Sequence, residues 1–293
     1  MRAYRFVTLD VFTNQRFGGN PLAVFTDARG LSDAEMQALA REMNLSETTF
    51  VLPPETAGNT ARVRIFTPAT EMPFAGHPNV GTGYVVASEQ GGDVLRFEEI
   101  AGLVEVRVAR GADGTVGDVT IAAPQPLTLG TEFTPVQIAG AAGLEPWDIV
   151  TENHRPMVAS VGNPFAVMEV APAALSRAAP DSAAMARANG IAPELEGRFR
   201  VYLYARDGGT LRARMFGGGL GVKEDAATGS AAAPLAALLL HLSGADRAAY
   251  DIVQGVEMGR PSLLRTTAAR GPDGIRATVG GGCVKVMEGT AFL

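Results

Sequence analysis

A seven-residue phrase occurs twice in the chain: GNPLAVF at 19–25 returns as GNPFAVM at 162–168. The elements expected after each copy also repeat in order. A helical segment comes first (33–43 and about 181–189), then a strand (61–66 and 211–216), then a Gly-rich loop that opens a helix. Gly19 to Gly76 spans 57 residues and Gly162 to Gly229 spans 67. A repeat on this scale confines the chain to two similarly folded halves.

The halves are read as residues 1–125 and 126–293, because Pro124 to Pro135 is polar, proline-marked and without periodicity. Short turns between strands and one long helix per half imply an α+β class: two pseudo-symmetric domains, each a curled, mostly antiparallel sheet around a central helix. The helices expected at those centres are 78–89 and 230–242. The second, SAAAPLAALLLHL, is apolar nearly all round, as an enclosed helix should be. Around them, alternation predicts strands over 3–12, 61–66, 94–109 and 116–122, with 19–25 and Phe50–Leu52 as two more. Ser32 and Glu35 form a capping box that starts a helix over 33–43, ending at Asn44. The last strand, Cys283–Phe292, is free to join either half.

Composition narrows the function classes. Of 293 residues, 46% are hydrophobic and 19% charged, which is a globular balance. Net charge is −6 with no run of Lys or Arg, so neither nucleic acid nor an anionic membrane is an expected partner. A single cysteine, Cys283, allows no internal disulfide and no cysteine-based zinc site. The opening MRAYRFVTLDVF is too polar for a signal peptide, and the longest apolar run, Ala231–Leu240, is too short for a membrane span. A soluble, cytoplasmic protein is expected.

Two stretches carry the chemistry. FTPATEMPFAGHPNVGTG (66–83) reads as strand end, loop and helix start, with His77 held between Gly76 and Pro78. The first turn of a helix presents backbone N–H groups without intrahelical partners, and these suit a carboxylate or an enolate. MFGGGLGVKEDAATGSAAA (215–233) repeats that build through Thr228, Gly229 and Ser230. Glu47 is read on a loop between helix and strand, its polar neighbours bracketed by Leu45 and Phe50. A carboxylate at a core margin has its pKa raised and serves as base, then acid. Asp225 is read equally as a cap for the helix near Thr228 or as a substrate contact. The candidate catalytic set is Glu47, His77, Asp225 and Ser230, with Asn20, Gly76, Thr228 and Gly229 as substrate-binding residues, all facing one interdomain cleft.

DVFTNQRFGGNPLAVF (10–25), NLSETTFVLPP (44–54), FTPATEMPFAGHPNVGTG (66–83) and KEDAATGSAAAPLAALL (223–239) together resemble the phenazine-biosynthesis PhzF-like isomerase family. The motifs stand in the family's order and spread over 230 of the 293 residues. The resemblance implies a diaminopimelate-epimerase-like fold, a homodimer, a small carboxylate substrate, and neither cofactor nor metal. It places the family's acid/base glutamate on Glu47, and its supporting residues on His77, Asp225 and Ser230. Ala226, where the family usually has proline, Ala233-Pro234, where a glycine usually follows, and Asn79, where threonine is usual, leave that set intact and the substrate open.

The activity these residues support is cofactor-independent isomerisation by proton abstraction and return. Three rivals are weaker. A racemase of the same fold uses two opposed thiols, and this chain has one cysteine. A Ser230–His77–Asp225 hydrolase lacks the G-x-S-x-G elbow, because the sequence there is ATGSAAA. A binding protein without chemistry gains nothing from Glu47, which repels a carboxylate. A nucleotide site is unsupported, since GGGLGVK has neither Walker nor dinucleotide spacing.

Overall fold

A computed structural model describes residues 1–218 and 223–293, which divide into two compact units: Met1–Ala122 with Gly280–Leu293, and Ala123–Val279. In the first unit, β1 (Ala3–Val11) pairs antiparallel with β2 (Asn20–Phe25), and β2 pairs parallel with β3 (Glu47–Leu52). Between β2 and β3 runs α1 (Asp33–Met43). Its capping box is present as expected, and Asn44 closes it in the left-handed conformation, φ 50°. β3 continues antiparallel to β4 (Ala61–Phe66), and β4 antiparallel to the two-residue β5 (Glu71–Met72). α2 (Gly76–Gln90) follows, then β6 (Val94–Glu99), β7 (Gly102–Arg110) and β8 (Val116–Ala122), with β6 parallel to β4.

The second unit repeats this plan. β9 (Thr128–Glu132) and β10 (Met157–Ser160) pair antiparallel, joined through the short α3 (Pro135–Ile138). β11 (Pro164–Glu169) pairs antiparallel with β10; then come α4 (Pro172–Arg177) and α5 (Ser182–Asn189). β12 (Arg200–Asp207) is parallel to β11, and β13 (Thr210–Gly217) antiparallel to β12. β14 (Glu224–Asp225) precedes α6 (Gly229–Ser243), and β15 (Arg247–Gln254) lies parallel to β13. β16 (Ser262–Gly271) and β17 (Gly274–Gly281) follow. The chain ends in β18 (Cys283–Phe292), antiparallel to β1 and therefore part of the first unit's sheet. Strand for strand, β2–β3–β4–β5 with β6 has the pairing senses of β11–β12–β13–β14 with β15.

Each unit wraps its sheet around one helix. α2 packs on β1, β2, β3, β7 and β8; α6 packs on β10, β11, β15 and β16. Leu235, Leu238 and Leu240 of α6 are fully buried. Removing such side chains from water contributes about 1.5–3 kcal/mol each. Pro234 sits inside α6, so the Ser230 carbonyl loses its i+4 donor. On the other side of the first unit's sheet, α1 covers an aromatic layer in which Phe25 and Phe50 stack at 4.9 Å and Phe66 meets Phe50 edge-on at 5.4 Å.

The repeat extends to a charged clamp. Arg64 of β4 is bidentate to Glu71 of β5, at 2.7 Å through both Nε and Nη2, and its guanidinium lies 5.1 Å from the Phe66 ring centroid. Arg214 of β13 is bidentate to Glu224 of β14 at 2.8 and 2.9 Å, and lies 4.8 Å from Phe216. Each clamp fastens the return strand that leads into a central helix. The repeated Gly-Asn turn is equally constrained. Gly19 has φ +62°, and a Cβ there would stand 2.3 Å from the Val11 carbonyl oxygen. Gly162, at φ +138°, would meet Pro124 at 2.7 Å.

Several expectations need correction. Glu47 is not on a loop: it is the first residue of β3, opposite Leu22, because parallel pairing with β2 starts three residues before Phe50. The span 94–109 is two strands. Ile100 and Ala101 turn the chain between them, and Gly102 takes φ +116°. Continuous apolar alternation on both sides hides that turn. Residues 128–132 inside the proline-marked stretch form β9, a largely exposed strand with no buried face to give alternation. Both central helices begin earlier than expected, at Gly76 and Gly229. The glycine-rich GGGLGVK loop falls partly on 219–222, outside the described residues.

Candidate active site

In the first unit, β2, β3 and α2 bring Asn20, Glu47, Gly76 and His77 together. β2 and β3 run parallel from their polar ends, so Asn20 and Glu47 emerge at the same edge. α2 starts there with Ala75 as N-cap in extended conformation and no side chain capping it. Pro78 fits in the first turn because the N–H it lacks would have no helical partner there. His77 is 6% exposed and Asn20 2%.

The Glu47 Oε2 atom lies 3.3 Å from His77 Nε2. Oε2 is sealed from solvent and accepts no hydrogen bond, so this contact has the distance of an ion pair without hydrogen-bond alignment. Asn20 Nδ2 stands 3.4 Å from His77 Nδ1, and Ser46 Oγ donates to Asn20 Oδ1 at 3.3 Å. With the Asn20 amide donating to Nδ1, a neutral His77 carries its proton on Nε2, the nitrogen facing Glu47. Burial pushes the Glu47 carboxyl above the ordinary glutamate range, and the neighbouring Ser46 hydroxyl only partly offsets that shift. A carboxylate so placed gains basicity from desolvation. It is reached from one side by an imidazole whose orientation a buried amide holds.

In the second unit, α6 starts at Gly229 after Thr228, again with no side chain capping it. The Thr228 hydroxyl donates instead to Asp225 Oδ2 at 2.7 Å. Gln254, fully buried on β15, holds this turn from behind: its Nε2 donates to the Asp225 carbonyl at 2.8 Å and to Thr228 Oγ1 at 3.0 Å, while its Oε1 accepts from Thr228 N–H and the Tyr202 hydroxyl. Ser230, in the first turn of α6, remains partly exposed. The structure therefore groups Asp225, Thr228, Gly229 and Ser230 within this unit, as it groups Asn20, Glu47, Gly76 and His77 within the other.

Gln254 was not foreseen, because a lone glutamine at a strand end carries no sequence signal. Glu99 and Asn79 were also missed as a pair. Both carboxyl oxygens of Glu99 and the Asn79 Oδ1 are buried without hydrogen-bond partners, and burial lifts the Glu99 pKa to about 8. No cluster of three or more His, Cys, Asp or Glu side chains suited to a metal occurs among the described residues. No described helix is long and apolar enough to cross a membrane.

Residues 9–289 match the family described as phenazine biosynthesis-like proteins. A Pseudomonas aeruginosa protein named trans-2,3-dihydro-3-hydroxyanthranilate isomerase is 40% identical, covering 99% of this chain and 100% of its own. A P. aeruginosa protein described as a predicted epimerase has a solved structure 31% identical, with TM-score 0.81 over 99% of both chains. The solved PhzF-family phenazine biosynthesis protein of Bacillus anthracis superposes with TM-score 0.89 over 100% of both chains; at 22% identity it shows the shared fold.

Proposed function

Since the chain belongs to the phenazine biosynthesis-like protein family and is an isomerase acting on a small molecule, we propose that one proton, carried by Glu47, accounts for its reaction. Glu47 takes the proton from a carbon beside an activating group on a small, cyclic or unsaturated carboxylate. The C–H bond breaks, its electron pair spreads into the unsaturated system, and the carboxyl group forms. That carboxyl group then gives a proton to a different carbon and Glu47 is a carboxylate again. Nothing is oxidised or reduced across the two steps, so the reaction needs no redox cofactor.

The observation that carries this reading is the Glu47 carboxyl itself, its Oε2 shut away from water with His77 Nε2 at 3.3 Å. Its raised pKa narrows the gap to a carbon acid and lets one group serve as base and then acid. His77, held by Asn20, stabilises the developing charge, and the first turn of α2 at Gly76 adds N–H donors and a favourable dipole. The start of α6 has the same oxygen-binding build within its own unit: Ser230 and first-turn N–H groups, with Thr228 and Asp225 tied together behind them. A two-thiol racemase mechanism is not open to a chain whose one cysteine is Cys283.

Glu47→Gln tests the assignment, with trans-2,3-dihydro-3-hydroxyanthranilate, for which the 40% identical relative is named, as the first substrate to try. The variant keeps size and hydrogen bonding and loses basicity. Turnover falls by roughly 10²–10⁴-fold while binding of a carboxylate analogue survives. Near-normal turnover by this variant would refute the role of Glu47.

A further inference from the structure

Arg200 holds in the second unit the place that Glu47 holds in the first. The repeated phrase sets Ala166 on Ala23; Ala23 pairs with Thr48 across β2 and β3, and Ala166 pairs with Val201 across β11 and β12. The residues one before those partners are Glu47 and Arg200. By the same alignment Asn163 answers Asn20.

A cavity of about 380 Å³ opens beside Arg200, lined entirely by residues of the second unit, with Ser160, Asn163, Glu194 and Arg198 among them. That volume lies within the range of small-molecule sites, about 300–1,000 Å³. The Arg200 guanidinium lies 4.7 Å from the Phe165 ring centroid, and its Nε is buried without a hydrogen-bond partner. The unit's other inward-placed arginines are matched, Arg214 by Glu224 and Arg212 by Glu257. The acidic groups near Arg200 do not do the same. Glu194 Oε1 accepts from the Thr131 N–H at 2.6 Å, and Glu196, which attracts Arg200, is exposed and offset by the repulsion of Arg198. Burial lowers the Arg200 pKa from its ordinary value, the sign of a cation that has lost water and gained no anion. Two further donors face the cavity's wall. Ser160 Oγ accepts from Gly162 N–H at 3.0 Å and so keeps its own proton to give, and Asn163 offers an amide.

We propose that this cavity binds a small organic carboxylate, held by the Arg200 guanidinium with Ser160 and Asn163 as supporting donors. A planar guanidinium stacked on an aromatic face matches a carboxylate in two-point geometry. This proposal does not rest on the role assigned to Glu47.

Correlation spectra of the arginine Nε–H groups of the whole protein, titrated with benzoate at constant ionic strength, test it. The Arg200 signal is identified by its loss in Arg200→Met, which keeps an apolar stem over Phe165. The expected result is a saturable shift of that signal, retained in Glu47→Gln, with benzoate affinity, followed in the variants through the Asn163 side-chain amide signal, falling about tenfold or more in both Arg200→Met and Arg200→Gln. An Arg200 signal that does not move, or that moves equally with added chloride, overturns the site. Saturation by inorganic phosphate but not by benzoate overturns the carboxylate assignment. Benzoate shifts confined to the Glu47 region of the first unit overturn this proposal and leave the isomerase reading standing.

Discussion

Glu99 makes the stability of the fold depend on pH in a calculable way. It ends β6 beside Asn79 of α2, and both of its carboxyl oxygens are buried without hydrogen-bond partners. Burial raises its pKa from 4.5 to about 8, with the Asn79 amide pulling weakly the other way. A protonated Glu99 has an O–H to give, and the unbonded Asn79 Oδ1 is an acceptor for it. The folded pKa exceeds the unfolded one, so the folded state keeps the proton longer. The stability tied to that proton is full below about pH 4.5 and is lost as pH rises through 8. The difference of 3.5 units (8 − 4.5) sets a ceiling of about 5 kcal/mol. A side chain that keeps part of its surface in water realises a fraction of this, about 2 kcal/mol. Glu99→Gln fixes the neutral shape. Urea denaturation midpoints, at unchanged m-value, should match wild type near pH 5 and exceed it by about 2 kcal/mol near pH 9. An equal offset at both pH values would refute the reasoning.

Three further outcomes are expected. Arg214→Met leaves the half-buried Glu224 without its cation and should cost about 2–4 kcal/mol in chemical denaturation, whereas the double change with Glu224→Leu should recover much of that loss. The acid limb of kcat/KM should rise only above the ordinary carboxylate range, because Glu47 must be ionised to act and burial raises its pKa; Ser46→Ala, which removes a hydroxyl that partly offsets that rise, should move the limb higher still. Gly83→Ala puts a Cβ 2.6 Å from Val106 Cγ1, so the strain of about 1–3 kcal/mol should outrun the gain in helix propensity, about 1 kcal/mol, and Tm should fall.

Much of the fold was legible where local chemistry decides it. The Ser32–Glu35 capping box and the left-handed Asn44 bound α1 at the residues expected, and the unbroken apolarity of 231–240 matches a helix enclosed by its sheet. The repeated GNP phrase was legible because its glycine meets backbone or proline at a distance no Cβ tolerates. What long-range pairing decides was not. Glu47 joins β3 only because Leu22 lies opposite it, and β9 exists only because β10 offers an edge. The Arg64–Glu71 and Arg214–Glu224 clamps left a signal, Arg-x-Phe in one strand and a glutamate before each helix, but neither ion pair can be inferred without the fold. Gln254 and Glu99 left none, since their importance comes from burial among groups far off in the chain.

The central claim is that one buried carboxylate both removes and returns the proton, and isomerisation in deuterated water tests it most directly. Wild type should build solvent deuterium into the product at the carbon that receives the proton, to the extent that Glu47 exchanges before return. Glu47→Gln should leave recovered substrate and any product free of deuterium while still binding a carboxylate analogue. Deuterium incorporation by Glu47→Gln at the wild-type rate would contradict the account.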